Sequence, residues 1–96
     1  MPQIGKWKKY EYANGSIRWT TQKNPPINGD VYGHIEFIPP KRNEIGYLYI
    51  TKNKTNWADG YSSSAISDDI LMTHPKSKQE GINIAYEYMK QQPNGF

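Results

Sequence analysis

The stretch KYEYANGSIRWT, residues 9–20, constrains the fold more than any other part of the chain. Asn14-Gly15 supplies the two positive φ angles of a type I′ turn, which joins antiparallel strands through two loop residues. Around that loop Tyr12 pairs with Ile17, and Tyr10 pairs with Trp19. Side chains alternate along a strand, so the hairpin has an apolar face and a mixed face. The apolar face, which we expect to meet the core, carries Tyr10, Tyr12, Ile17 and Trp19. The opposite face carries Trp7, Lys9, Glu11, Arg18 and Thr20.

Two further stretches favour strands. VYGHIEFI, residues 31–38, alternates and puts Val31, Ile35 and Phe37 on one face. IGYLYI, residues 45–50, has apolar groups on both faces, which indicates an interior strand. Residues 23–30 and 39–44 are rich in Pro, Asn and Gly and are predicted loops. Beyond them, Trp57 and Tyr61 flank Asp59-Gly60, which suggests a short hairpin or an aromatic-anchored loop.

The last third of the chain favours helix. Residues 77–93 place Ser77 and Glu80 at capping-box spacing, ahead of an apolar stripe that ends before a proline. That stripe consists of Ile82, Ala85, Tyr86 and Met89. Gly81 is expected to weaken this helix by about 1 kcal/mol relative to alanine. SDDILMTHP, residues 67–75, is predicted to form a second, short helix, because Ser67 is a suitable N-cap and two aspartates follow it.

These elements predict one domain, residues 1–96, of the α+β class. We expect a mostly antiparallel sheet of about four strands, built from two hairpins, with the C-terminal helix packed on one face as a two-layer sandwich. The sheet region spans about residues 5–61 and the helical region about residues 67–92. Only 35% of the residues are hydrophobic, but 3 Trp, 8 Tyr and 2 Phe supply burial capacity.

Several function classes are disfavoured by what the sequence lacks. It contains no cysteine, which excludes disulfides and cysteine-based zinc sites. There is neither an apolar run of the ~18 residues that span a bilayer nor an N-terminal secretory signal, so we expect no membrane partner and a cytoplasmic location. No phosphate-binding glycine loop, nucleophile elbow or HExxH motif is present. His34 and Glu36 share a strand face, which we interpret as a solvated surface. We therefore expect no catalytic residue, no metal, no cofactor and no enzymatic activity.

The charge distribution favours a binding protein. Residues 1–56 hold nine basic and four acidic side chains, whereas residues 57–96 hold three and five. Rings interleaved with cations on an exposed sheet are typical of single-stranded nucleic-acid platforms, where rings stack on bases and cations contact phosphates. The residues predicted to stack are Trp7 and Tyr32. The predicted phosphate contacts are Lys9, Arg18, Lys41, Arg42, Lys52 and Lys54.

A protein partner is the alternative. Tyr, Trp and Arg are also the residues enriched at protein interfaces, so the same surface suits an inhibitor or accessory protein, of the kind carried by phages and mobile elements. The strand at residues 45–50, apolar on both faces, would suit the seam of a homodimer. Binding to nucleic acid should weaken steeply with salt, whereas binding to protein should depend on the aromatic rings and less on salt.

Overall fold

The computed structural model describes residues 5–23, 27–58 and 62–95, and within these it describes no side chains for residues 56–58 and 62–67. The elements are β1 (Lys8–Glu11), β2 (Ile17–Thr20), β3 (Val31–Ile38), β4 (Tyr47–Ala58), β5 (Ser62–Thr73) and α1 (Lys78–Gln91). All neighbouring strands are antiparallel and lie in sequence order, so the sheet is a five-stranded meander. The predicted α+β class is confirmed, with five strands instead of about four.

One face of the sheet packs against α1, and we call it the helix face. Each of the three central strands contributes alternate apolar side chains to it, and α1 closes the cluster from the other side. The buried members are Trp7, Ile17, Trp19, Ile35, Phe37, Leu48, Ile50, Ala85 and Met89. The opposite face, which we call the open face, has no helix of the described residues over it.

Gly81 is the point of closest approach between α1 and the sheet. It lies on the buried side of the helix, and a Cβ atom at this position would overlap the ring of Phe37. Glycine at this position lowers the helix propensity, but its lack of a Cβ atom allows α1 to pack closely against Phe37 on β3.

The first hairpin differs from the prediction by one residue of register. Tyr10 pairs with Arg18 and Glu11 with Ile17, because Tyr12 and Ser16 close a three-residue loop in place of a two-residue one. Gly15 alone among the loop residues has a positive φ, +89°, as in the three-residue loops that end in a left-handed glycine. Because side chains alternate, this shift turns every residue of β1 to the other face.

The short helix predicted at residues 67–75 is wrong. Ser67–Thr73 belong to β5, whose pairing with β4 runs from Ser62 to Thr73. Backbone hydrogen bonds to β4 outweigh a local helical preference that rested on a cap and two aspartates. The β4–β5 pairing is also the fifth-strand contact that the prediction lacked. The Asp59–Tyr61 part of the hairpin predicted around Trp57 lies outside the described residues.

Several other local predictions are confirmed. β3 covers residues 31–38, and β4 is an interior strand between β3 and β5, although it spans Tyr47–Ala58 and not residues 45–50. Residues 24–26 of the loop predicted at 23–30 lie outside the described residues. Ser77 caps α1, its Oγ accepting a hydrogen bond from Glu80 N at 3.2 Å, while Glu80 Oε2 accepts one from Lys76 N at 2.7 Å. Residues 41–44 form a tight turn with Asn43 at φ +68°. Among the described residues, no helix has the length and apolar character needed to cross a membrane.

Candidate functional site

A row of cross-strand neighbours crosses the open face from β1 to β4. Tyr10 pairs with Arg18, Arg18 with Glu36, and Glu36 with Tyr49. Directly opposite residues of antiparallel strands project to the same side, so all four lie on the open face. Tyr47, two residues before Tyr49 on β4, lies parallel to it with ring centroids 5.9 Å apart. Together with Tyr12, at the end of β1, these residues form a surface that we call the tyrosine patch: Tyr10, Tyr12, Arg18, Glu36, Tyr47 and Tyr49.

Arg18 is the central cation of the tyrosine patch. Its guanidinium carbon lies 4.9 Å from the centroid of the Tyr10 ring, a cation–π contact. Its Nε is buried and has no hydrogen-bond partner. Within the described part of the chain, no carboxylate lies within the 4.0 Å of an ion pair with it. Arg18 thus carries a positive charge that no carboxylate among the described residues neutralises by direct contact.

The carboxylate of Glu36 is directed to His34 and not to Arg18. His34 Nε2 lies 3.8 Å from Glu36 Oε1. Burial lowers the pKa of the His34 imidazole below 6.5, against the smaller opposite effect of Glu36, and Arg18 lowers it further. His34 therefore favours the neutral form at pH 7. No group of three or more His, Asp or Glu side chains that could hold a metal ion exists among the described residues.

The turn between β3 and β4 borders the tyrosine patch. A shallow hollow of 590 Å³ is bounded by Ile38, Tyr47 and Tyr49 on the sheet and by Asn43, Glu44 and Ile45 from the turn side. Lys41 and Arg42, in the same turn, are exposed to solvent. Two of the predicted phosphate contacts therefore belong to the turn that bounds this hollow.

The end of the open face far from the β3–β4 turn is buried. Thr20, Asn53 and Thr55 are buried there, and so is Tyr32, which pairs with Asn53. The hydroxyl of Thr20 donates to Gly33 O at 3.0 Å and accepts from Gln22 N at 3.1 Å. The expectation that Tyr32 is exposed on this face is wrong, because the residue is 6% exposed.

Trp7 is not at the surface either. It is 1% exposed, its indole Nε1 donates a hydrogen bond to Gln92 O at 2.7 Å, and its ring packs on Gly33, where a Cβ atom would overlap it. Tyr88 meets it edge-on with ring centroids 6.4 Å apart. The one-residue shift in register moved Trp7 to the helix face, so it closes the core and cannot stack on a base.

The predicted basic residues do not form one surface. Lys9 lies on the helix face with its partner Trp19 and forms an ion pair with Glu11 at 2.8 Å, which raises the pKa of the lysine and lowers that of the glutamate. Lys52 and Lys54 alternate with the open-face residues of β4, at the end of β4 far from the β3–β4 turn. Arg18 therefore lies in the tyrosine patch and Lys41 and Arg42 lie in the turn beside it, whereas Lys9, Lys52 and Lys54 lie on the helix face.

The four tyrosines of the patch were missed as site residues for two reasons. Tyr10 and Tyr12 were assigned to the core by the two-residue loop, although Ala13-Asn14-Gly15 also fits a three-residue loop with glycine last. Tyr47 and Tyr49 alternate with Leu48 and Ile50 along the strand. Placing Leu48 and Ile50 in the core would therefore have predicted that the two tyrosines lie on the opposite face. No protein-family model, no curated protein and no solved structure matches the chain.

Proposed function

We propose that this protein is a non-enzymatic, single-stranded nucleic-acid-binding protein that uses the tyrosine patch. The observation that carries the proposal is the position of Arg18, a cation without a carboxylate partner among the described residues, between tyrosines on a sheet face that α1 leaves open. Such a cation attracts an anion, and the rings beside it attract flat apolar groups. A nucleotide combines the two.

The spacing of the patch suits unpaired bases. Neighbouring strands lie about 4.8 Å apart, so the row from Tyr10 on β1 to Tyr49 on β4 spans about 14 Å. Open sheets of this width stack two or three bases on their aromatic side chains, each contributing about 1–3 kcal/mol. Stacking needs exposed base faces, which a single strand offers and a duplex does not. We assign the phosphate contacts outside the sheet to Lys41 and Arg42, which are exposed in the turn beside the patch.

Titration of labelled oligonucleotides, followed by fluorescence anisotropy, tests the proposal. We expect single-stranded DNA or RNA to bind more tightly than the matching duplex. With three cations on the phosphates, log affinity should fall with log salt with a slope of about −2. Tyr49→Ala should weaken binding about tenfold or more, whereas Tyr49→Phe, which keeps the ring, should change it little. Arg18→Gln should lower both the affinity and the salt slope.

Lys90→Ala is the matched control. Lys90 is an exposed cation in the last turn of α1, on the other side of the sheet, so its loss should leave binding unchanged while Lys41→Ala weakens it. Absence of binding at low salt would contradict the proposal. So would equal losses from Lys90→Ala and Lys41→Ala, because binding would then reflect overall charge. A protein partner that binds at both low and high salt, and whose binding Tyr49→Ala abolishes, would instead assign the patch to protein binding.

A further inference from the structure

β5 is a long edge strand whose features against pairing are two aspartates and the β-bulge at Ile70. β5 is the last strand of the sheet, has 12 residues, and contains no Lys, Arg or Pro. Ile70, Leu71 and Met72 are exposed along it by 46%, 42% and 54%. β1, at the other edge, has four residues and carries Lys8 and Lys9. Short, lysine-bearing edges resist pairing, whereas long apolar ones invite it.

An apolar groove accompanies this edge on the helix face. It has a volume of 490 Å³ and runs between β5 and α1. Its apolar walls are Ile50, Leu71, Ile84 and Tyr88, with Glu87 among its polar residues. Leu71 thus belongs both to the edge and to the groove, so a strand added to β5 would lie beside an apolar surface that is already formed.

The charges along β5 favour a second copy of the same chain as the added strand. Asp68 and Asp69 precede the apolar run, whereas Lys76 follows it. When two copies pair antiparallel about Met72, Asp68 of each lies against Lys76 of the other. Parallel pairing would place aspartate against aspartate, which is unfavourable.

We propose that the protein forms a homodimer through antiparallel pairing of β5 with β5 about a two-fold axis close to Leu71 and Met72. Ile70 is the extra residue of a β-bulge, because Asp69 pairs with Thr51 of β4 and Leu71 with Ile50. The two copies of β5 pair beyond this bulge, along residues 71–73. The result is a continuous ten-stranded sheet in which the two grooves meet beside the axis. Pairing of β5 with β1 of another copy would leave an edge open at each end and produce filaments instead of a closed dimer.

The mass in solution tests this proposal. Light scattering after size exclusion should give twice the 11.1 kDa of one chain for the wild type. Leu71→Lys should give a single chain, with an unchanged circular dichroism spectrum. Ile27→Lys, which introduces the same charge at an exposed isoleucine in the turn before β3, should remain a dimer. A wild type that stays monomeric up to ~100 μM would overturn the proposal, because its dissociation constant would then exceed that of most specific interfaces. Filaments, or a dimer that Leu71→Lys does not dissociate, would also overturn it.

A cysteine cross-link locates the axis independently of the effect of any charge. The chain has no cysteine, so Met72→Cys introduces the sole thiol. Close to a two-fold axis, two copies of this thiol come within disulfide distance, for which the Cα atoms must be about 4.4–6.8 Å apart. Oxidation should convert Met72→Cys to a covalent dimer, while Ile27→Cys stays uncrosslinked. Equal cross-linking of the two variants would reject an axis at β5.

Discussion

Gly81 lies on the buried side of α1 and faces the ring of Phe37 on β3. In an exposed helix, glycine to alanine gains about 1 kcal/mol. Here the added methyl group overlaps the ring, and overpacking of this kind costs about 1–3 kcal/mol. We therefore expect Gly81→Ala to lower the free energy of unfolding, measured by urea denaturation. Asn83→Ala, at an exposed position of the same helix, should change it by no more than a few tenths of a kcal/mol, because the gain in helix propensity is offset by loss of the hydrogen bond from Gln79. Stabilisation by Gly81→Ala would contradict the packing.

His34 gives the fold a pH dependence with a definite sign. Its pKa is lowered in the folded state, mainly by burial, whereas in the unfolded chain it is 6.5. Between the two values the unfolded state binds more protons, so stability is lost as pH falls through 6.5 and levels off below the folded pKa. Urea denaturation from pH 8 to 5 should show this loss in the wild type, and His34→Gln should reduce it. Identical pH profiles for the two proteins would contradict the inference.

Elements that depend on nearby residues were predictable from the sequence, and pairing over long distances was not. α1 followed from the spacing of its cap and its apolar stripe, and β3 followed from alternation. The segment from Ser67 to Thr73 carries weak local signals for both helix and strand, and β4, about twenty residues earlier in the chain, decides between them. The register of the first hairpin depended on a single loop residue, since Ala13 counts either as strand or as loop.

That register can be measured through a coupling energy. In the structure Arg18 stacks on Tyr10, whereas a two-residue loop would place Arg18 opposite Glu11. A double-mutant cycle with Tyr10→Ala and Arg18→Ala should therefore give a coupling of about 0.5–1 kcal/mol in unfolding free energy. The matched cycle with Glu11→Ala and Arg18→Ala should give a value close to zero. The reverse pattern would restore the two-residue loop.

The candidate site depends on properties of the whole molecule, which is why only part of it was predictable. Arg18 was predicted because alternation along β2 puts it on the face opposite Ile17 and Trp19 for either loop length. Lys41 and Arg42 were predicted because a proline-rich turn exposes its cations. The rings could not be chosen in the same way, because an aromatic side chain either fills the core or forms a surface, and the choice depends on which face α1 covers. The three-residue loop puts Trp7 in the core and Tyr10 at the surface, whereas the predicted two-residue loop put Trp7 at the surface and Tyr10 in the core.

The two proposals together make a prediction about the whole assembly. Antiparallel partners share a face, so pairing through β5 places both α1 helices on one side of the sheet and both tyrosine patches on the other. A long single strand can then reach two patches at once, and the second contact profits from a high effective concentration. The gain in apparent affinity over single-site binding is of order 10²-fold or more.

Oligonucleotides of two lengths measure this gain. One OB-fold domain binds about 4–16 nucleotides, so we compare oligonucleotides of about 8 and about 30 nucleotides. The wild type should bind the longer one about 10²-fold more tightly, and Leu71→Lys should reduce that ratio to a few-fold while the shorter one binds as before. Leu71 lies on the helix face and outside the tyrosine patch, so a monomeric variant keeps a complete patch. If both proteins show the same ratio, the two patches do not act together on one strand, even where the dimer and the binding are each established.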